Sequence, residues 1–306
     1  MTTKEAEDLC RMIRIGVDLS RPKYNYHPKT KEELKDLIEE LLKKRGNKAD
    51  LNDIDVSKIT DMSEVFKFSQ FNGNISKWNV SKVEDMYGMF YDSEFNGDIS
   101  KWDVSSVRSM SFIFATSRFN RDISDWDVSG VEYMWGMFRN SQFNGDISSW
   151  DVSGVKNMSE MFYGSQFNGN ISKWDVSGVK KMCEMFTDSQ FNGDISNWNV
   201  SGVWSMCDMF ASSQFNGDIS KWDVSGVKDM SRMFASSQFN GDISKWDISS
   251  VEQMNGMFFK SKFNGDISNW NVSNVRNMGS MFKDSKFKGD ISKWAKNRKD
   301  KKKDLN

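Results

Sequence analysis

Ten tryptophans recur at a constant interval of 24 residues, and this spacing constrains the fold more than any other feature of the chain. The repeated units begin near Leu51, where Ile54 takes the tryptophan position of one earlier unit. No insertion or deletion interrupts the series, as stacked coils require, because one extra residue would displace every later side chain. The sequence therefore predicts a solenoid of 24-residue repeats over residues 51–294. Its tryptophans, all expected in the core, are Trp78, Trp102, Trp126, Trp150, Trp174, Trp198, Trp222, Trp246, Trp270 and Trp294.

The apolar positions within one unit predict a strand followed by a helix. Ile219, Trp222 and Val224 have the spacing of a leucine-rich repeat, and alternation predicts a short strand at Trp222-x-Val224. The inward positions of the second half recur at i, i+3, i+6 and i+7, as on one face of a two-turn helix, with Ser225 at the N-cap position. These positions are Val227, Met230, Met233 and Phe234.

These elements predict an α/β repeat solenoid that resembles leucine-rich repeats. Strands stack about 4.8 Å apart, whereas helices need about 8–10 Å. The coil stack is therefore expected to curve, with short parallel strands on the concave side and short helices on the convex side. At the turn glycine column, Arg121 stands in place of glycine. Either this position tolerates a negative φ, or that coil is strained by about 1–3 kcal/mol.

Residues 1–50 are predicted to be a helical leader that caps the first coil. Thr30 and Glu33 form a capping box, and an apolar stripe follows until Gly46. A weaker helix is expected over residues 5–15. Deletion of this leader should expose the apolar edge of the first coil.

Composition excludes several classes of protein. The formal net charge is -1, unlike that of a dedicated nucleic-acid binder, and only the tail, residues 295–306, is strongly basic and expected to be disordered. No apolar run reaches the length of a transmembrane helix. The first residues lack the apolar segment of a signal peptide, which favours a cytoplasmic location.

The chain offers few groups for catalysis, and no cofactor is expected. His27, the single histidine, lies in a linker and is expected to be an ordinary solvated residue, which leaves no base for a nucleophilic triad. The cysteines Cys183 and Cys207 occupy the same position in adjacent units. They are predicted to stay free, because stacked helices would hold them farther apart than a disulfide allows.

Two columns of aspartate could in principle bind calcium, which prefers carboxylate oxygens. Asparagines interrupt both columns, and lysines often precede the tryptophans, so turn capping and charge neutralisation explain the pattern more simply. No metal site is therefore predicted. The columns are Asp103, Asp127, Asp151, Asp175, Asp223 and Asp247, and Asp98, Asp122, Asp146, Asp194, Asp218, Asp242, Asp266 and Asp290.

Outward positions of the predicted helices vary, and several carry rings that the core does not need. Exposed aromatic residues are enriched among binding anchors; the alternative is that these rings pack over neighbouring coils. Most of them fall in four consecutive units and should lie near one another. The predicted partner-binding residues are Tyr87, Tyr91, Phe112, Tyr133, Trp135, Tyr163 and Trp204.

The motif W-D-V-S-x-V-x-x-M-x-x-M-F-x-x-S-x-F-N-G-D-I-S resembles the repeat of BspA-like bacterial surface proteins, which also occurs in mycoplasma lipoproteins of unknown function. The resemblance covers residues 51–294. It implies a leucine-rich-repeat-like fold, a role in adhesion or protein binding, and a cell-surface location as the alternative to the cytoplasm. It implies no catalytic residue. Because Val227 occupies the column where many leucine-rich repeats have asparagine, the usual asparagine ladder is expected to be missing.

The sequence thus predicts a non-catalytic protein-binding or adhesion module that presents a variable face to a protein partner. A monomer is expected. The alternative is a structural or assembly component, in a surface layer, virion or filament, that associates with copies of itself. A binding module should remain monomeric in solution, whereas an assembly component should form oligomers as its concentration rises.

Overall fold

A computed structural model describes residues 24–294 of the chain. Its one helix, α1, spans Lys31–Arg45, which confirms the predicted helix. The Thr30 side chain accepts a hydrogen bond from the Glu33 amide at 3.2 Å, and Gly46 follows the helix with φ of 79°. The predicted helix over residues 5–15 and the predicted tail lie outside the described residues. Among the described residues, no helix has the length and apolar character needed to cross a membrane.

The predicted α/β architecture is wrong. Within residues 51–293 the repeats contain no strand and no helix, so there is neither a strand face nor a helical face. Parallel pairing between coils is reduced to isolated bridges. Most of these bridges join one residue of a coil to the residue 24 positions later. The series runs from the pair Asp61 and Asp85 to the pair Gln253 and Asn277.

Each coil is instead a run of four-residue turns. In the coil that begins at Asp218, the amide of the fourth residue donates to the carbonyl of the first at 2.9–3.3 Å in every turn. In the first three of these turns the first and fourth residues are apolar and the two central residues are polar or small, which produces the spacing that resembles a strand and a helix. The turns are Ile219–Trp222, Val224–Val227, Met230–Met233, Arg232–Ala235 and Phe234–Ser237.

The segment predicted to be helical alternates between two kinds of hydrogen bond. The amides of Met230, Arg232, Phe234 and Ser236 donate to carbonyls of the next coil at 2.7–2.9 Å, while the intervening amides of Met233, Ala235 and Ser237 close turns within their own coil. Arg232 and Ser236 both have φ of 55°, the left-handed region that type II turns need at their third residue.

The separation between coils gives the physical reason for the missing helices. Direct backbone hydrogen bonds hold neighbouring coils together along this segment. The centroids of the equivalent rings of Phe90 and Phe114 lie 5.8 Å apart. Packed helices need about 8–10 Å between their axes, so no helix can occupy this position in every coil.

The ten repeat tryptophans are buried, with 2–4% of their surface exposed, as the sequence predicts. Each indole Nε1 donates to a main-chain carbonyl 27 residues earlier, as Trp222 does to Ile195 at 3.0 Å. Equivalent rings stack in columns, and Trp198 and Trp222 are 6.5 Å apart with nearly parallel planes. The core is therefore continuous from coil to coil.

Asparagine and aspartate side chains satisfy the backbone of the turns. In most coils the aspartate before the isoleucine accepts from the amide two residues later, as Asp218 does from Ser220 at 2.9 Å. The Val227 column holds no asparagine, as expected, but an asparagine ladder exists at another column. The Oδ1 atom of Asn216 accepts from the amide of Asn240 at 2.8 Å, and the same bond links the preceding coils back to Asn72.

Arg121 does not strain its turn. Neither Arg121 nor the turn glycines of this column have a left-handed φ, so the first of the two alternatives is correct. The column favours glycine for a different reason. At Gly217, for example, an added Cβ would lie 2.9 Å from the Phe215 ring.

Helix α1 packs against the first coils. Its buried residues Leu34, Ile38 and Leu41 belong to the same apolar cluster as the repeats. Lys31 Nζ donates to Asp61 Oδ2 at 2.6 Å and to Ser63 Oγ at 2.7 Å. The division of the chain at residues 50 and 295 remains a prediction.

Candidate binding surface

Five aromatic residues on the outward side of the turns form a continuous surface, which we call the aromatic strip. Successive rings contact one another across four coils. Because the inward positions are already filled by Met and Phe, these rings are not needed to close the core. The aromatic strip consists of Phe68, Tyr87, Tyr91, Phe112 and Trp135.

The rings of the aromatic strip meet edge to face. Phe68 lies 5.6 Å from Tyr91 between centroids, and Tyr91 lies 6.3 Å from Phe112. Phe112 also contacts Tyr87 at 5.9 Å and Trp135 at 4.8 Å. Edge-to-face pairs at 4.5–7 Å contribute about 0.5–1.5 kcal/mol beyond burial, so the strip is held in place by its own contacts.

The ends of the aromatic strip are its most exposed parts. Phe68 is 63% exposed, and Tyr87 and Trp135 are 39% and 40% exposed. Tyr91 and Phe112, between them, are half-buried. The sequence interpretation missed Phe68, although one signal could have found it, since the equivalent residues of later coils, such as Asp92 and Asn140, are polar.

A shallow groove of about 270 Å³ runs between the rings of Phe68, Tyr87, Tyr91 and Phe112. One ion pair lies at this groove, where Lys67 Nζ is 2.5 Å from Glu64 Oε1. The same ammonium lies 5.3 Å from the centroid of Phe68 and 5.6 Å from that of Tyr91. The hydrogen bond to Glu64 raises the pKa of Lys67 above its ordinary value, so this group is cationic at neutral pH.

The backbone beside the aromatic strip is adapted to its rings. Gly136 has φ of 60°, and a Cβ added there would lie 2.3 Å from the Phe112 ring. Glycine at this position leaves room for the Phe112 ring against the next coil and adopts a positive φ without strain. Phe112 itself has φ of 56°, an uncommon conformation for a bulky residue.

The remaining predicted binding residues lie elsewhere. Tyr133 and Trp204 are exposed, at 47% and 43%, but no ring contact with the aromatic strip is described for either. Trp204 lies instead beside Lys181, whose Nζ is 5.0 Å from its ring. The Tyr163 ring is covered by the Arg139 guanidinium at 3.9 Å, and Arg139 forms an ion pair with Glu160.

The structure shows what the aspartate columns contact and where His27 lies. The aspartate columns serve the turns: the hydrogen bonds from the Ser129 hydroxyl and amide lower the pKa of Asp127. Within residues 24–294 no group of three or more His, Cys, Asp or Glu side chains could hold a metal ion. His27 lies at the surface, with Nδ1 3.3 Å from Asp55 Oδ2.

These features define a tandem-repeat protein whose coils share one core and differ in their outward residues. The family model described as Mycoplasma protein of unknown function, DUF285, matches residues 34–144, 93–197, 136–238 and 205–305. Because these overlapping matches cover most of the chain, the chain belongs to this family. No curated protein and no solved structure matches it.

Proposed function

We propose that this chain is a non-catalytic binding module and that its aromatic strip contacts a protein partner. The observation that carries this proposal is the continuous contact among five outward rings from consecutive coils, three of them more than a third exposed. The same positions in later coils mostly hold small or polar residues such as Ser236, Ser231 and Ala235, with Tyr163 and Phe259 as the exceptions. The strip is therefore an addition to the repeat and not a requirement of it.

The physical chemistry of the strip suits an interface anchor. Its rings are restrained by their neighbours, so they lose little conformational freedom on binding. Tyr and Trp are enriched among the residues that contribute most to protein interfaces. The groove can accept an apolar side chain of the partner, while Lys67 and Glu64 remain at the groove for polar contacts.

The family resemblance supports the same proposal. BspA-like repeats imply adhesion or protein binding, and a role of this kind would place the protein at a cell surface. An enzymatic role has less support, since the aspartates of the repeat accept hydrogen bonds from their own turns.

The test compares three forms of the chain in extracts of the source cells and of any host. The strip variant carries Phe68→Asn, Tyr87→Ser and Trp135→Ser, which are residues that other coils have in these columns, at Asn140, Ser111 and Ser159. The matched control carries Trp204→Ser, an exposed ring outside the strip. A protein captured by the native chain and the control, but not by the strip variant, would be purified for titration.

We expect the strip variant to bind this purified partner about 30-fold more weakly, or about 2 kcal/mol, and to remain folded, with a melting temperature lowered by the loss of its ring contacts. Equal binding by all three forms would refute the proposal. The alternative function predicts a different result. If the native chain forms oligomers as its concentration rises and the strip variant does not, the occupant is a second copy and the protein is an assembly component.

A further inference from the structure

The cysteines Cys183 and Cys207 occupy equivalent positions in two neighbouring coils that are hydrogen-bonded on both sides of them. The Met182 amide donates to the Ser205 carbonyl at 3.0 Å, and the Glu184 amide donates to the Cys207 carbonyl at 2.8 Å. Backbones paired in this way lie about 4.8 Å apart. This distance falls within the range of about 4.4–6.8 Å between Cα atoms that a disulfide needs. Stacked helices, which would hold the two cysteines too far apart for a disulfide, do not occur in these coils.

The Cys183 thiol is directed toward the coil of Cys207. Its Sγ lies 2.9 Å from Ser205 Oγ, two residues before Cys207, and the two thiols interact so that each shifts the pKa of the other. Both cysteines are free and half-buried. Several other coils have serine in this column, as at Ser159 and Ser231, whereas two coils have the rings of Tyr87 and Trp135 there.

The thiols differ in acidity. The hydrogen bond from Cys207 lowers the pKa of Cys183 to about 7. The same hydrogen bond, together with burial, raises the pKa of Cys207. Cys183 therefore supplies a thiolate near neutral pH, while Cys207 stays protonated. Sites that react with oxidants combine these two features, a low-pKa thiol and a neighbouring thiol that resolves the first product.

We propose that Cys183 and Cys207 form a reversible disulfide on reaction with a hydroperoxide, which links two neighbouring coils covalently. The Cys183 thiolate attacks one peroxide oxygen, the O–O bond breaks, and the other oxygen leaves as an alcohol or water after taking a proton. Cys183 is now a sulfenic acid. The Cys207 sulfur then attacks the Cys183 sulfur, the S–O bond breaks, and the hydroxyl leaves as water with the thiol proton. Two thiols and one hydroperoxide thus give a disulfide, an alcohol or water, and one water.

The link would close a loop of about one repeat and restrict the unfolded chain more than the folded one. We expect the oxidised protein to melt at a higher temperature than the reduced protein. A thiol reductant should reverse this change. The proposal is independent of the aromatic strip, because the strip includes neither cysteine. Trp204, an exposed ring close to Cys207 in the sequence, is outside the strip as well.

The experiment uses the full chain with Cys10→Ser, a residue outside the described range, so that only the pair can react. Hydrogen peroxide is added in equal amount, thiols are titrated, and peptides are mapped without reduction. We expect the loss of two thiols per molecule and one peptide pair joined through residues 183 and 207. The control adds Cys207→Ser, which should give a sulfenic acid at Cys183 that a dimedone probe captures. Unchanged thiols, further oxidation without a link, or a link between molecules would each overturn the proposal.

Discussion

The coils that carry the aromatic strip and the later coils have nearly the same backbone and different surfaces. Phe112 has φ of 56° and donates to the Trp135 carbonyl at 2.7 Å, while Arg232, five coils later, has φ of 55° and donates to the Asn255 carbonyl at 2.9 Å. The outward side chains differ most, while the inward ones are nearly constant. The backbone of the repeat is therefore set by its inward columns and its turns, and the outward positions are available for function.

The largest expected effect tests whether the two regions share one core. Trp102→Ala, among the aromatic coils, and Trp222→Ala, among the later ones, should each lower the free energy of unfolding by about 3–5 kcal/mol. Each change also leaves a buried carbonyl without its indole donor, that of Ile75 or Ile195. Denaturant melts measure the free energy of unfolding of both variants. A loss below about 1 kcal/mol at either position would contradict the shared core.

The burial of the tryptophans and the period were predictable because both depend only on which residues face inward. The backbone conformation within one repeat was not predictable. Inward residues at the spacing of Met230, Met233 and Phe234 fit a helix as well as a run of turns, and periodicity alone cannot separate the two. The deciding quantity is the distance between coils, which is a property of the packed array and not of one unit.

The candidate site was predictable to a similar extent. The exposure of Tyr87 and Trp135 could be predicted, since outward positions vary while inward positions do not. The grouping of the rings could not be predicted in full. Phe68 was missed because it follows the core residue Phe66 closely, and Tyr163 is covered by Arg139, a contact that depends on the geometry of neighbouring coils.

A second prediction concerns the end of the array that α1 covers. Leu34→Ala in α1 removes a fully buried side chain and should destabilise the helix and its contacts by about 2–5 kcal/mol. Repeat arrays respond mainly through nearest neighbours, so hydrogen exchange should quicken at Leu51 and Ile54 far more than at Trp222. Lys35→Ala, at an exposed position of the same helix, is the control. Equal protection at Leu51 in both variants would show that α1 does not stabilise the first coil.

A third prediction separates backbone strain from ring packing in the two regions. Gly136→Ala and Gly256→Ala both place a Cβ on a residue with left-handed φ, at 60° and 62°, which costs about 1–2 kcal/mol in each case. At Gly136 the new atom would also lie 2.3 Å from the Phe112 ring, whereas at Gly256 it would meet the flexible Arg232 side chain at 3.1 Å. We therefore expect the Gly136 variant to melt at the lower temperature. Adding Phe112→Ser should remove the difference, and its persistence would mean that the ring is not the cause.

The smallest expected effect concerns the column of Phe112, which holds acidic residues in the middle coils. Glu160, Glu184 and Asp208 follow one another in this column, and Arg139 and Arg232 pair with the outer two. Burial, then the charges of Glu160 and Asp208, raise the pKa of Glu184.

Because the pKa of Glu184 is higher in the folded state than in the unfolded state, folding is favoured while this carboxyl is protonated. That contribution is lost as the pH rises through the folded pKa. Glu184→Gln removes the charge and should raise the melting temperature slightly at pH 7. The gain should vanish near about pH 3.5, below the ordinary pKa of glutamate, where the native side chain is neutral as well. Glu160→Gln is the matched control: it breaks the pair with Arg139 and should not raise the melting temperature. A gain for Glu184→Gln of the same size at both pH values would come from packing, and the charge would then play no part in the difference between these coils and the aromatic ones.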